Sequence, residues 1–231
     1  VIKLRKILVI VSSLIILATV LTSLVLPNYV SYTIYNYLKN DMHARNIQGE
    51  VQTHPPFMIA DGKIDRVYYK ADAALIGQTE VHDLLLTGDK LYIDMPDLLQ
   101  QRFTVDKAED IALSCTIDEK SLERLLLQKI TRLHSATVLI TPQLVTVTAN
   151  IPILDNNIAA NMTGSIYTAD GNIYFKIAEF NVENTLLGKI SLNTQDAIML
   201  LDKNKLPFGA RIDSVTQENN QISIKASAHK E

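Results

Sequence analysis

The hydrophobic pattern takes three characters in turn along the chain. Ile7 to Leu26 is a run of 20 residues without a charge, 14 of them Leu, Ile or Val. Wound as a helix at 1.5 Å per residue it reaches about 30 Å, the thickness of a hydrocarbon core. Each central aliphatic residue favours insertion by roughly 0.3–0.6 kcal/mol. The hydroxyls of Ser12, Ser13, Thr19, Thr22 and Ser23 offset part of that and can bond to carbonyls one turn back. Lys3, Arg5 and Lys6 precede the run, which favours a cytoplasmic N-terminus and an exported C-terminal part. A cleaved signal peptide is the rival reading. It fits less well, because the apolar run exceeds the usual stretch of about 7–15 residues and no A-x-A site precedes Pro27. The expected division is residues 1–26 as cytoplasmic stub and single-pass signal anchor, and 27–231 as an extracytoplasmic domain.

Beyond Pro27-Asn28, taken as the membrane exit, the period becomes helical. Val30, Ile34, Tyr37, Leu38 and Asp41 share one stripe, with Tyr29, Tyr32 and Tyr35 three residues apart. The tyrosines suit either a headgroup layer or the rim of a packed helix. From Ile47 the period is two. Strands are expected from Ile47 through Gln52, stopped by Pro55-Pro56, and over Ile64 to Leu75, Leu84 to Leu86, Leu91 to Asp94 and Ala108 to Ile117. Further strands are expected over Thr137 to Thr141, Leu144 to Pro152, Ile158 to Thr168, Tyr174 to Val182 and Ile222 to Ala228. Turn residues stand at Asp61-Gly62, Thr87-Gly88-Asp89-Lys90, Ala169-Asp-Gly-Asn172 and Glu218-Asn-Asn220. Two helices interrupt this series. One has capping-box spacing at Thr116-Ile-Asp-Glu119, with Asp118 as alternative cap, and an apolar stripe of Leu122, Leu125, Leu126, Ile130 and Leu133. The other is expected to be capped by Asn193, with Ala197, Leu200 and Leu201 inward and Pro207 after it. Such an order predicts an α+β fold with a large antiparallel sheet, not a doubly wound one.

Composition narrows the function. Hydrophobic residues make up 47% and charged residues 20%, which suits a packed domain. The net charge is -3, and from Ile7 onward 19 basic residues face 25 acidic ones, so a phosphate-neutralising face for nucleic acid is not expected. Cys115 is the only cysteine and alternates with Leu113 and Ile117, which reads as a small buried hydrophobe. The histidines, His43, His54, His82, His134 and His229, show no metal-ligand spacing, and no metal or cofactor site is expected. Neither a Gly-x-Ser-x-Gly elbow nor a glycine-rich phosphate loop is present. Asp61, Asp65 and Asp72 are accounted for by turns and solvent-facing strand positions, and Asn161-Met-Thr163 matches only a short glycosylation pattern. With no Trp and 6% aromatics, ring-stacking on sugars is disfavoured. The abundant aliphatics can form a solid core or line a groove for acyl chains, whose burial contributes about 0.8 kcal/mol per methylene.

Several segments in order carry a resemblance. Val51-x-Thr53-x-Pro55-Pro56 is followed by Asp61-Gly62-Lys-Ile-Asp-Arg-Val67, then Leu91-Tyr-Ile-Asp94 and Thr116-Ile-Asp-Glu-Lys-Ser-Leu122 with Leu125 and Leu126. Leu206-Pro-Phe-Gly-Ala-Arg-Ile-Asp-Ser-Val215 and Ile222-Ser-Ile224 close the series. Together, over about residues 29 to 228, they resemble the LmeA-type phospholipid-binding family of bacterial envelope proteins. What the resemblance implies is a curved antiparallel sheet wrapping a central helix, with an apolar cavity for phospholipid tails. It also implies a role in envelope lipid or lipoglycan maintenance without catalysis, and offers no catalytic residue to carry over.

The leading expectation is a membrane-tethered phospholipid-binding module, with the bilayer and a phospholipid as partners. Its acyl chains would lie against Leu122, Leu125, Leu126 and Ile130. A non-catalytic envelope scaffold with a solid core is the second. An exported hydrolase is the third, and it requires a cleft holding a close Ser/His/Asp or carboxylate group.

Overall fold

A computed structural model describes residues 2–130, 133–153, 156–184, 188–192 and 197–230. Helix α1 (Ile2–Asn40) runs without a break through Pro27. Its two parts differ in surroundings. Every side chain from Arg5 to Leu21 is exposed, whereas Val30, Ile34 and Leu38 are fully buried, as the stripe predicts. By length and composition α1 is apolar enough to cross a membrane.

The strands divide between two antiparallel sheets. The first holds β1 (Gln48–Gln52), β2 (Lys63–Ile76), β3 (Thr79–Ile93), β4 (Val105–Asp118), β11 (Arg211–Gln217) and β12 (Gln221–Lys230), in the order β1-β2-β3-β4-β12-β11. The second holds β5 (Ser135–Ile140), β6 (Val145–Ile153), β7 (Asn156–Ala169), β8 (Asn172–Asn184) and β10 (Ala197–Leu201), in the order β10-β8-β7-β6-β5, with β9 (Gly188–Leu192) also on β8. The architecture is α+β, with the first sheet curled like a half barrel. Alternation places Val67, Tyr69, Leu84, Leu86, Ile111, Leu113, Ile222 and Ile224 on its buried side, in one core with the second part of α1. Tyr69 donates its hydroxyl to the Ser31 carbonyl (3.1 Å), pinning β2 to α1. Helix α3 (Glu119–Lys129) lies against β5 and touches β3 and β4, so it bridges the sheets. Gln217 joins them at another edge: its amide donates to the Thr141 carbonyl (3.1 Å) and its oxygen accepts from Ile166 N–H (2.8 Å).

Three expectations need correction. The residues Thr87 to Lys90 do not form a hairpin; β3 continues through them, with Gly88 opposite Val67 and Ile111 and a local irregularity at Lys90 (φ 49°). The turn is at Gly77-Gln78, where Gly77 takes φ 65°, a left-handed conformation that glycine adopts without steric cost. The helix expected around Ala197, Leu200 and Leu201 is strand β10, paired antiparallel with β8. Its five-residue apolar run is too short for a 3.6-residue period to be distinguished, and the open edge of β8 takes it. Asn193, its expected cap, lies outside the described residues. Finally, α3 stops at Lys129, so Leu133 is buried beyond the helix and not on it. A short helix α2 (Met95–Leu99), capped by Asp94, follows β3 and was not expected.

Candidate functional site

The first candidate is the start of α3. Asp118, not Thr116, is its cap: the Asp118 carboxylate accepts the Ser121 amide at 2.7 Å. Thr116 stays in β4 and donates to the His82 carbonyl, while Glu119 accepts from Ile140 N–H (2.9 Å) and ties α3 to β5. Burial pushes the Asp118 carboxyl up. Hydrogen bonds from Ser121 and the charges of His82 and Arg124 outweigh that and hold it below the usual carboxylate range.

These contacts bring a serine, a histidine and an aspartate together. His82 Nε2 lies 3.2 Å from Ser121 Oγ and 3.7 Å from Asp118 Oδ2. Both partners meet the same ring nitrogen. In a nucleophilic triad the acid holds one nitrogen so that the other can take the serine proton, and that division is missing here. Ser121 is also buried, and its oxygen accepts from Arg124 (3.1 Å), whose guanidinium pairs with Glu80 (2.7 Å). The cluster clamps the helix start; its geometry is not that of a hydrolase. Cys115 is buried, and burial pushes its thiol up to about 12, which suppresses the thiolate. Among the described residues no group of three His, Cys, Asp or Glu is arranged to hold a metal.

Of the four residues expected to face acyl chains, Leu122, Leu125 and Leu126 are fully buried in the common core. Ile130 ends α3 and is half-buried against the same core. Beside it, Lys129 borders a cleft of about 350 Å³ between the Ile76–Thr79 turn and β10, walled by Ile76, Met199 and Leu200 with Asp202 and Lys205. A larger cleft of about 780 Å³ lies under the segment Lys203–Ile212 that follows β10, and is equally mixed in character.

A different spot is walled by apolar side chains, with Thr87 the one exception. Val67, Leu86, Leu91 and Ile111 on the inner face of the curled sheet, with Phe103, Val105 and Phe208, enclose a slot of about 10 Å³. Phe208 covers it with its ring 5.6 Å from both Tyr37 on α1 and Phe103, edge-on to the latter. Its backbone is left-handed (φ 58°, ψ 17°), a conformation costing about 1–2 kcal/mol for a bulky residue. Burial raises the neighbouring Tyr37 phenol, and Asp41 adds to that. Sequence reasoning did not single out Phe103 or Phe208. The one available sign was Pro207-Phe-Gly209, a turn sequence with an aromatic where a polar residue is usual.

Comparison with curated proteins and with solved structures returned no match to this chain. A family model does match, over residues 18–227, from within the apolar part of α1 into β12. The curled antiparallel sheet, the apolar slot and a match over nearly the whole chain agree: the protein belongs to the LmeA-like phospholipid-binding family.

Proposed function

We propose that the protein is a membrane-anchored, extracytoplasmic phospholipid-binding module that serves envelope lipid or lipoglycan maintenance. Residues 1–26 form the cytoplasmic stub and anchor, and 27–231 the exported unit. The slot carries the reading: within a phospholipid-binding family, it is an interior space whose walls, Thr87 apart, are apolar side chains. Acyl chains enter where the Phe103–Phe208–Tyr37 cluster parts, and run along the inner face of the sheet toward Leu122, Leu125, Leu126 and Ile130. Headgroups stay at the surface. The chain's work is binding, not bond breaking, and its partners are the bilayer and a phospholipid, not nucleic acid.

A second reading, a scaffold with a solid core, is favoured by the size of the slot, which is far smaller than an acyl chain. Native mass spectrometry of the full chain, with lipid extraction, separates the two. A phospholipid retained at one per chain supports the binding module. A lipid-free chain that also takes up none from vesicles supports the scaffold.

A further inference from the structure

The apolar stretch of α1 has no slack. Twenty residues, Ile7 to Leu26, separate Lys6 from Pro27; as a helix they measure about 30 Å, one hydrocarbon core. Yet the folded unit begins before that stretch ends. Thr22, Ser23, Leu26 and Pro27 are half-buried, whereas the residues from Arg5 to Leu21 are all exposed. Leu26 packs on the main core, and Tyr29 donates its hydroxyl to the Leu98 carbonyl in α2 (3.2 Å). The 3-10 turn Pro56–Asp61 lies along the same helix. Part of the domain therefore packs on α1 at Leu26, the last residue of the stretch that a bilayer would occupy.

That collar, α2 and the Pro56–Asp61 turn, presents apolar side chains outward. Leu99 is 69% exposed, more than any other large apolar residue described outside α1, and Phe57 is 42% exposed. Tyr92, at the end of β3, lies under the Lys63 ammonium (5.9 Å to the ring centre), an amphipathic pair suited to a headgroup layer. The acidic groups of α2 are satisfied locally. Asp94 accepts the Asp97 amide (2.6 Å), and Asp97 accepts from Arg102 (2.6 Å) and Thr104 (2.7 Å). Lifting the collar clear of the bilayer would draw Arg5 and Lys6 toward the hydrocarbon, which disfavours that placement.

We infer that the collar is a lipid-contact surface, with Leu99 and Phe57 seated in the outer bilayer interface beside the point where α1 leaves it. This rests on the reading of α1 as a membrane anchor.

The test uses the full chain in vesicles of equimolar phosphatidylcholine and phosphatidylglycerol, with a fluorescent nitrobenzoxadiazole label at one introduced cysteine. Cys115 is buried and does not compete for label. The positions are Leu99→Cys, Phe57→Cys, Leu14→Cys within the apolar stretch, and Leu139→Cys on the exposed face of β5. Lipids brominated near the glycerol end are expected to quench labels at 57 and 99, with blue-shifted emission, and to leave 139 unquenched. Labels at 57 and 99 that behave like 139, while a deeper-brominated lipid quenches 14, would overturn the collar and leave the anchor standing. A label at 14 that no brominated lipid quenches would overturn both.

Discussion

Two helices contribute buried stripes to the common core, and they are held in different ways. The second part of α1 buries Val30, Ile34 and Leu38; α3 buries Leu122, Leu125 and Leu126. The stripes are alike in size and chemistry. Their beginnings are not. The buried part of α1 continues an existing helix, so its first turn needs no cap and no nucleation. An 11-residue helix such as α3 is marginal alone, and a polar clamp of Asp118, Ser121, His82, Arg124 and Glu80 starts it. Equal burial thus rests on an apolar run in one case and on charge in the other.

The most damaging way to probe this pair is to hollow out both stripes. Ile34→Ala and Leu122→Ala should each lose about 2–5 kcal/mol, measured as urea midpoints of the full chain in detergent, because both side chains are fully buried. Ile15→Ala, in the exposed part of α1, should leave the same midpoint within about 0.5 kcal/mol. If Ile34→Ala behaved like Ile15→Ala, the second part of α1 would not belong to the core and the comparison would collapse.

A smaller effect is expected where α1 meets the slot. At Phe208 a left-handed backbone opposes the ring contacts with Tyr37 and Phe103. Alanine there removes the ring and keeps the strain, while glycine removes both. Phe208→Gly should therefore be more stable than Phe208→Ala by about 1 kcal/mol in the same urea assay. Equal midpoints would mean that the left-handed backbone carries no cost.

How much of this was readable beforehand differs by region. The stripes of α1 and α3, the strand β2 and the turn at Asp61-Gly62 follow from local pattern, because burial there repeats with the period of the element. Local pattern does not separate the β2–β3 turn from Thr87–Lys90, because two glycines eleven residues apart offer similar local signs. Gly88 sits mid-strand, where Leu91 occupies the space beside it and would meet an added Cβ at 3.0 Å. Only the pairing of β2 along its whole length selects Gly77 as the turn, and that is a long-range effect. Strand β10 was missed for the same reason: its partner β8 lies more than a dozen residues back. The Phe208 cluster joins three distant segments, none of which announces the others. Of the four acyl-facing candidates, the sequence indicated that they turn inward but not whether their interior opens to lipid.

The smallest effect separates the two helices most cleanly, because only α3 starts on a carboxylate cap that acid can titrate. The folded Asp118 carboxyl lies below its ordinary value, so it stabilises the native state above its unfolded value of about 4. That contribution is lost as pH falls through the lower, folded value, when the carboxyl protonates and its bonds to Ser121 weaken. Asp118→Asn keeps a capping oxygen and removes the titration, so its stability gap to the parent chain should be open at pH 6 and closed in strong acid. Asp118→Ala should cost about 1 kcal/mol as a lost cap. Hydrogen exchange resolves the site of the loss. On acidification the amides of Leu122 to Leu126 should lose protection before those of Val30 to Leu38, whose stripe has no carboxylate cap to titrate. Simultaneous loss in both helices would show that the clamp does not act locally, and that the sheet, not the cap, holds α3 in place.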